Sequence, residues 1–177
     1  EHWTSYRPKA VTSVLFEDIF HAYLPYDPRL RCLEVGCVPG EFLCYLAKRF
    51  GYEVHGVDFS DQLDVVRQLF AANGVTRYAL HHADFRTWEP QQTYDVVVSF
   101  GFIEHFLDYE QIIRQHAALV APGGWLIMTM PNFRYGQYVL HRLCDQANLR
   151  RHNLAVMNPR MLRRVLSQEQ MQLLRVG

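Results

Sequence analysis

Residues Cys32 to Gly40 read CLEVGCVPG, and this stretch decides the fold. A short apolar run from Leu30 to Val35 has the length of a buried strand and carries one acid, Glu34, near its end. Gly36 and Gly40 bracket a turn in which the backbone can pass close to a ligand, because glycine has no Cβ. A helical pattern opens directly behind Gly40. The start of such a helix offers unpaired N–H groups and a partial positive charge, a seat for a carboxylate or phosphate. Strand, glycine turn and helix in that order form an opening unit of an α/β sheet. The turn is not the dinucleotide fingerprint G-x-G-x-x-G, whose glycines serve the turn, the pyrophosphate approach and helix packing. Val38 and Glu41 hold the second and third of those places. The Val38 side chain disfavours a pyrophosphate lying flat on the turn.

Working outward, short apolar runs alternate with amphipathic stretches, the pattern of a parallel sheet covered by helices. Upstream, a helix is expected from Val11 to Leu24, stopped by Pro25. Downstream, a helix from Glu41 to Phe50 puts Phe42, Leu43, Leu46, Ala47 and Phe50 on one face, and Gly51 ends it. Glu53 to Val57 reads as a second strand, and Ser60 as the N-cap of a helix from Asp61 to Asn73. Arg77 to His81 reads as the third strand. Tyr94 to Ser99 (YDVVVS) reads as the fourth, with the continuous apolar centre of a strand buried on both faces. Asp108 caps a helix to Ala121, and Pro122-Gly123-Gly124 turns into a fifth strand, Trp125 to Met130. Beyond Asn132 the alternation breaks into an extra helical segment. Asn158-Pro159 starts a last helix that ends near Gln168, and Met171 to Val176 begins a sixth strand.

The expectation is therefore an α/β fold, a doubly wound, mostly parallel sheet flanked by helices, with its C-terminal antiparallel strands missing or incomplete. It reads as one domain in four stretches. These are an N-terminal helical segment (1–29), a core (30–132), an inserted cap (133–157), and a C-terminal helix with the start of a sixth strand (158–177).

The 177 residues suffice for one domain with a full core. The 18 basic and 18 acidic side chains cancel, which argues against general nucleic-acid coating. The balance hides an asymmetry. Residues 1–132 carry 10 basic and 16 acidic groups, and residues 133–177 carry 8 and 2. The basic last stretch forms either solvated helix faces or a wall toward an anionic substrate or membrane surface. Cys32, Cys37, Cys44 and Cys144 contain no C-x-x-C pair, and they suit small apolar roles in a reducing, cytoplasmic setting. No apolar run reaches the roughly 18 residues of a membrane span, so no stable membrane insertion is expected. The opening residues EHWTSYRPKA lack the apolar segment of a signal peptide.

Two further acids fall at strand ends. Asp58 closes the second strand, where a carboxylate can accept both hydroxyls of a ribose or simply flank the next helix. Asp84 follows the third strand and can accept an adenine amino hydrogen, while Phe85 covers the ring or packs in the core. In order and spacing, residues 32–132 resemble the class I (Rossmann-like) S-adenosylmethionine (SAM) dependent methyltransferases. Their first motif, E/D-x-G-x-G-x-G, is matched by Glu34, Gly36 and Gly40, with Val38 in place of the middle glycine. GVDFS matches their ribose-binding acid and HHADF their adenine-contact acid. YDVVVSFGFIEHF and LVAPGGWLIMTMPN resemble their later motifs.

The resemblance implies SAM as cofactor and S-adenosylhomocysteine as product. It implies that Glu34, Gly36, Cys37 and Gly40 line the methionine part and that Asp58 holds the ribose. Phe59 would pack on adenine, Asp84 and Phe85 would frame its edge, and Ser99 and Phe100 would lie beneath the sulfonium. Methyl transfer then needs an aligned nucleophile and, for a hydroxyl or ammonium, a base. His105 is the leading candidate for that base, with Glu104 to orient it or bind substrate; the alternative is that the pair merely ties the loop to the sheet. The Glu-His pair also resembles ubiquinone-biosynthesis O-methyltransferases, whose E-x-x-E-H can bind a divalent metal. Here Gly101 stands at the first glutamate, and no metal is expected.

Substrate choice is assigned to the stretch from Asn132, which supplies Arg134, Tyr138 and His141. The expected partner is a small-molecule acceptor, anionic if the basic stretch faces it, methylated on a hydroxyl oxygen. Glycan, lipid-linked and aromatic acceptors all suit such a cap, and no nucleic acid is expected. A homodimer would cover the edge of an incomplete sheet. Two other readings stand beside this one: a non-catalytic SAM-binding or regulatory module, and a nicotinamide-dependent Rossmann oxidoreductase.

Overall fold

The computed structural model describes residues 6–131, 153 and 157–176. Five strands form one sheet: β1 (Arg31–Val35), β2 (Glu53–Asp58), β3 (Tyr78–His82), β4 (Tyr94–Phe100) and β5 (Val120–Thr129). Their order is β3-β2-β1-β4-β5, with β1–β2 and β2–β3 parallel. The order reverses beside β1, as in doubly wound sheets. Val35 pairs with Val57 and Asp58 with His82, so the C-terminal ends of β1, β2 and β3 lie side by side.

The helices are α1 (Glu17–Tyr23), α2 (Glu41–Phe50), α3 (Leu63–Asn73), α4 (Tyr109–Ala118) and α5 (Pro159–Gln168). The described residues group into two compact units. The first runs to Val98 and includes Val120–Ile127; the second holds Ser99–Leu119 and the described residues from Met128 onward.

In the first unit, β1 and β2 are buried along almost their whole length, and α2 packs on both strands and on α3. The observed α2 coincides with the expected helix, but its buried face is shifted, with Phe42 and Ala47 only half-buried and Cys44 and Tyr45 turned inward. Leu43, Cys44, Tyr45, Leu46 and Phe50 are all buried. The reason is α1, whose fully buried Phe20 meets the Phe42 ring edge-on at 6.4 Å and the Tyr45 ring at 6.3 Å. Its His21 lies 2.8 Å from the Tyr45 hydroxyl through Nε2.

The helix expected from Val11 begins only at Glu17. Residues 6–14 instead form an irregular strap held by two helices. Val11 N–H donates to Asn73 Oδ1 (2.9 Å), Lys48 Nζ donates to the Val11 carbonyl (2.9 Å), and Asn73 Nδ2 donates to the Lys9 carbonyl (2.9 Å). Backbone groups satisfied by side chains in this way have no need of a helix. Likewise α3 starts at Leu63 rather than Asp61. Ser60 Oγ accepts the Gln62 N–H at 3.2 Å in a tight turn and does not cap the helix. β5 begins at Val120, and its ladder runs through the Pro-Gly-Gly expected to be a turn. A Cβ on Gly124 would lie 2.7 Å from the Asp95 carbonyl oxygen of β4, so only glycine fits this close strand pairing.

In the second unit α4 packs on α5. Arg164 pairs with Glu110, and Arg114 reaches Glu110 (3.4 Å) and Glu169 (3.4 Å). α5 spans the expected residues, with Asn158 as N-cap accepting the Arg160 N–H at 3.1 Å and Pro159 in the first turn. Residues 171–176 form no strand, unlike the expected sixth. The Met171 N–H instead closes the helix end on the Leu166 carbonyl at 3.1 Å. The helical segment expected beyond Asn132 lies outside the described residues. Among the described residues, no helix is long and apolar enough to cross a membrane.

Candidate active site

Glu34 is the last but one residue of β1 and is 3% exposed. The backbone N–H of Leu43, in the first turn of α2, favours the ionised form of this carboxyl. Its Oε2 is buried with no hydrogen-bond partner among the described residues. Burial is the first cause, and nearby Asp58 a further one, that pushes this carboxyl well above the usual carboxylate range; the Leu43 N–H opposes the rise.

The turn behind it is fixed by close packing. Gly36 donates to the Val57 carbonyl at 2.9 Å, which ties the turn to the end of β2. Gly40, at φ +97°, is the N-cap of α2, and a Cβ there would lie 2.7 Å from Val66 Cγ1 of α3. Between them Cys37 is 1% exposed and sits against Gly56 of β2, where a Cβ would meet its Sγ at 2.5 Å. The Cys37 side chain therefore plugs the core, and burial raises its thiol pKa. What Cys37 can offer a ligand is its backbone. The Val38–Pro39 peptide is cis.

Asp58 ends β2 and knits the loops together. Its Oδ2 accepts the Val38 N–H at 3.0 Å and its Oδ1 accepts the Ser60 N–H at 2.8 Å. Each oxygen keeps acceptor capacity, since a carboxylate has about four lone-pair sites. The neighbouring Phe59 is 75% exposed, an apolar ring in water. Its carbonyl oxygen lies 2.9 Å from His82 Nε2 at the end of β3.

After β3, Asp84 is clamped by Arg86. The Arg86 backbone N–H reaches Oδ1 at 3.0 Å, and the guanidinium spans both oxygens, at 3.1 Å to Oδ1 and 2.5 Å to Oδ2. These hydrogen bonds hold the Asp84 carboxyl below its ordinary pKa. The same two-residue clamp joins Asp27 and Arg29 in the loop before β1. It is thus a local loop device, and an adenine amino group would share Asp84 with Arg86. Phe85 is 5% exposed and packs inward.

The second unit holds the other expected residues. Ser99 is 1% exposed, and its hydroxyl has no hydrogen-bond partner among the described residues. Phe100 is half-buried at the end of β4. Gly101 donates to the Thr129 carbonyl at 2.9 Å, and a 3-10 turn, Ile103–His105, follows. Within it Glu104 is buried and His105 exposed. A Cβ on Gly101 would lie 3.4 Å from Glu104 Oε1. Asn153 clamps this turn from outside. Its backbone N–H donates to the Glu104 carbonyl at 2.7 Å, and its Nδ2 donates to the Phe106 carbonyl at 3.0 Å. The sequence places Asn153 in the cap segment but gives no sign of this clamp, which joins residues far apart in the chain. Leu107, just beyond, is 91% exposed. Asn132, Arg134, Tyr138 and His141 lie outside the described residues. Among the described residues, no group of three or more His, Cys, Asp or Glu could hold a metal ion.

A doubly wound α/β sheet with a buried acid, a glycine turn and a second acid at adjacent strand ends defines a nucleotide- or nucleoside-binding class of fold. Comparison with known proteins narrows that class. A methyltransferase-domain family matches residues 4–175, and the chain belongs to it. The ubiquinone biosynthesis O-methyltransferase of Hydrogenovibrio crunogenus is 32% identical over 110 residues, covering 61% of this chain and 45% of the relative. The trans-aconitate 2-methyltransferase of Variovorax paradoxus is 32% identical over 124 residues, covering 69% of this chain and 46% of the relative. The chain thus spans less than half the length of these relatives. Among solved structures, the Haemonchus contortus phosphoethanolamine N-methyltransferase 2, in complex with SAM, superposes with a TM-score of 0.68 at 21% identity. It covers 86% of this chain and 35% of its own. Coclaurine N-methyltransferase, bound to N-methylheliamine and S-adenosylhomocysteine, gives 0.59 at 20% identity, with 70% and 38% covered. These two show a shared fold.

Proposed function

We propose that this chain binds SAM at the C-terminal ends of β1, β2 and β3 and takes part in methyl transfer to the hydroxyl oxygen of a small-molecule acceptor. The observation that carries the reading is the buried Glu34 with an unpartnered oxygen, beside a glycine turn and Asp58, in a chain of a methyltransferase family. The residues fit the cofactor chemically. Glu34 Oε2 is an acceptor in need of a donor, which the α-ammonium of an amino acid provides. The remaining acceptor capacity of Asp58 suits a ribose diol, and the exposed Phe59 ring suits the face of a purine. Bound there, SAM supplies a methyl group already activated by its sulfonium.

The protein's own work is to bind, orient and exclude water. For a hydroxyl acceptor one proton must also leave the oxygen, and we assign it to the exposed His105 imidazole, with the buried Glu104 holding the turn. The names of two curated relatives support a small-molecule acceptor: one is a ubiquinone biosynthesis O-methyltransferase and the other a trans-aconitate 2-methyltransferase. Substrate choice falls to Asn132, Arg134, Tyr138 and His141, in a stretch rich in basic groups that suits an anionic acceptor. We also assign the protein to the cytoplasm.

The test is transfer of labelled methyl from SAM to a panel of catechols, small polycarboxylates and sugars. The expected result is a methyl ether from a hydroxyl-bearing member of the panel, lost at least 100-fold in His105→Ala. Tight SAM binding with no methyl transfer to any class would turn the reading to a non-catalytic SAM-binding module.

A further inference from the structure

Glu34 presents an unusual combination. It is a carboxyl group 3% exposed, with Oε2 buried and without a partner among the described residues. No described lysine, arginine or histidine forms an ion pair with it. The titratable groups around it are acids and thiols. Asp58 ends the adjacent strand β2, Cys32 lies on its own strand, and Cys37 is in the turn; the charges of Glu34 and Asp58 both act on the Cys37 thiol. On α2, Glu41 is already engaged by Lys9 (3.1 Å) and Tyr6 (3.4 Å), and Cys44 is buried with its thiol pushed up to about 11. A lone buried carboxylate beside a second carboxylate is costly, and such a group relieves the cost by taking a proton. A ligand that brings a cation to Oε2 reverses the balance.

We propose that Glu34 is a proton switch for the turn: a neutral carboxylic acid in the empty protein that releases its proton to solvent when an ammonium-bearing nucleoside docks against it. This rests on the reading of the turn as a SAM site, and it adds a pH-linked control of cofactor affinity. The balance is simple. The O–H of Glu34 ionises, the proton enters the buffer, and the carboxylate pairs with the ligand's ammonium. Affinity therefore rises with pH through the range in which empty Glu34 is protonated, and levels off above it.

The test uses S-adenosylhomocysteine and calorimetry in pairs of buffers with different ionisation enthalpies, from about pH 5.5 to about pH 8.5. The wild type is expected to release up to about one proton per ligand over the pH range in which its empty Glu34 is protonated, and none above it. The slope of log affinity against pH must equal that proton count. Glu34→Gln, isosteric with the protonated acid, is expected to bind about tenfold more weakly, with no proton release and no pH slope. Ligand binding to the wild type with equal heats in both buffers at every pH would overturn the switch and leave the cofactor reading standing. Proton release that persists in Glu34→Gln would also overturn it, by assigning the proton elsewhere. The absence of any heat or thermal stabilisation with S-adenosylhomocysteine would overturn both, which separates the two failures. If Glu34→Gln binds too weakly to measure, the wild-type slope and proton count still decide.

Discussion

At the scale of single residues, the turn between β1 and α2 depends on space that only glycine leaves open. Gly40 combines φ +97° with a Cβ position 2.7 Å from Val66 Cγ1. Gly40→Ala is therefore expected to cost roughly 2–3 kcal/mol, from backbone strain and overpacking together. A thermal melt followed by circular dichroism reads this directly, and an unchanged melt would contradict the packing described. Glu34, Gly36, Gly40 and Asp58 were legible in the sequence because their spacing follows from local geometry: strand end, tight turn, helix start. The partners of these residues were not. Gly56 matters because Cys37 crosses onto it from another strand's turn, and Asp84 is held by Arg86 through a loop shape that residue type alone does not dictate. Phe85, offered by the sequence as either ring cover or core, lies in the core.

At the scale of elements, α2 matched expectation to the residue and α5 closely, because both carry complete terminal signals. α2 has glycine at each end, and α5 has an asparagine cap followed by proline. Asn158→Ala removes the Arg160 N–H cap and is expected to destabilise the protein by about 1 kcal/mol. The midpoint of urea unfolding should fall, while S-adenosylhomocysteine affinity stays the same. A loss of affinity without a loss of stability would contradict a purely capping role. α1 came out short for a reason its own sequence does not contain, since Asn73 and Lys48 capture the preceding strap. β5 came out long because Pro122-Gly123-Gly124 reads as a turn in isolation, whereas the close approach of β4 at Asp95 makes Gly124 part of a ladder.

At the scale of the whole molecule, two buried groups set opposite pH slopes on stability. His116 is fully buried, and desolvation is the main cause that lowers its pKa from 6.5 to about 4. Its folded form stays neutral while the unfolded chain takes up a proton, so stability is lost as pH falls from 6.5 toward 4. The effect is roughly 3 kcal/mol once both limits are passed. His116→Gln should flatten that acid arm in a series of thermal melts, and an unchanged arm would assign acid unfolding to other groups. Glu34 acts the other way. Its folded pKa is raised, so its contribution is present at low pH and is lost as pH rises through the folded value. Glu34→Gln should therefore melt higher than the wild type at alkaline pH when empty. A lower melting point there would contradict a destabilising buried charge. The sheet class was legible from alternating apolar runs, which are a local signal.

The central claim is that the ends of β1 and β2 hold an adenosyl amino-acid cofactor through Glu34 and Asp58. Calorimetric titration with S-adenosylhomocysteine, with NAD in parallel, on the wild type and Asp58→Ala tests it most directly. Micromolar binding of S-adenosylhomocysteine, no binding of NAD, and a loss of at least tenfold in affinity in an Asp58→Ala variant that still folds are expected. A folded wild type that ignores S-adenosylhomocysteine, or binds it equally well without the Asp58 carboxylate, would contradict it.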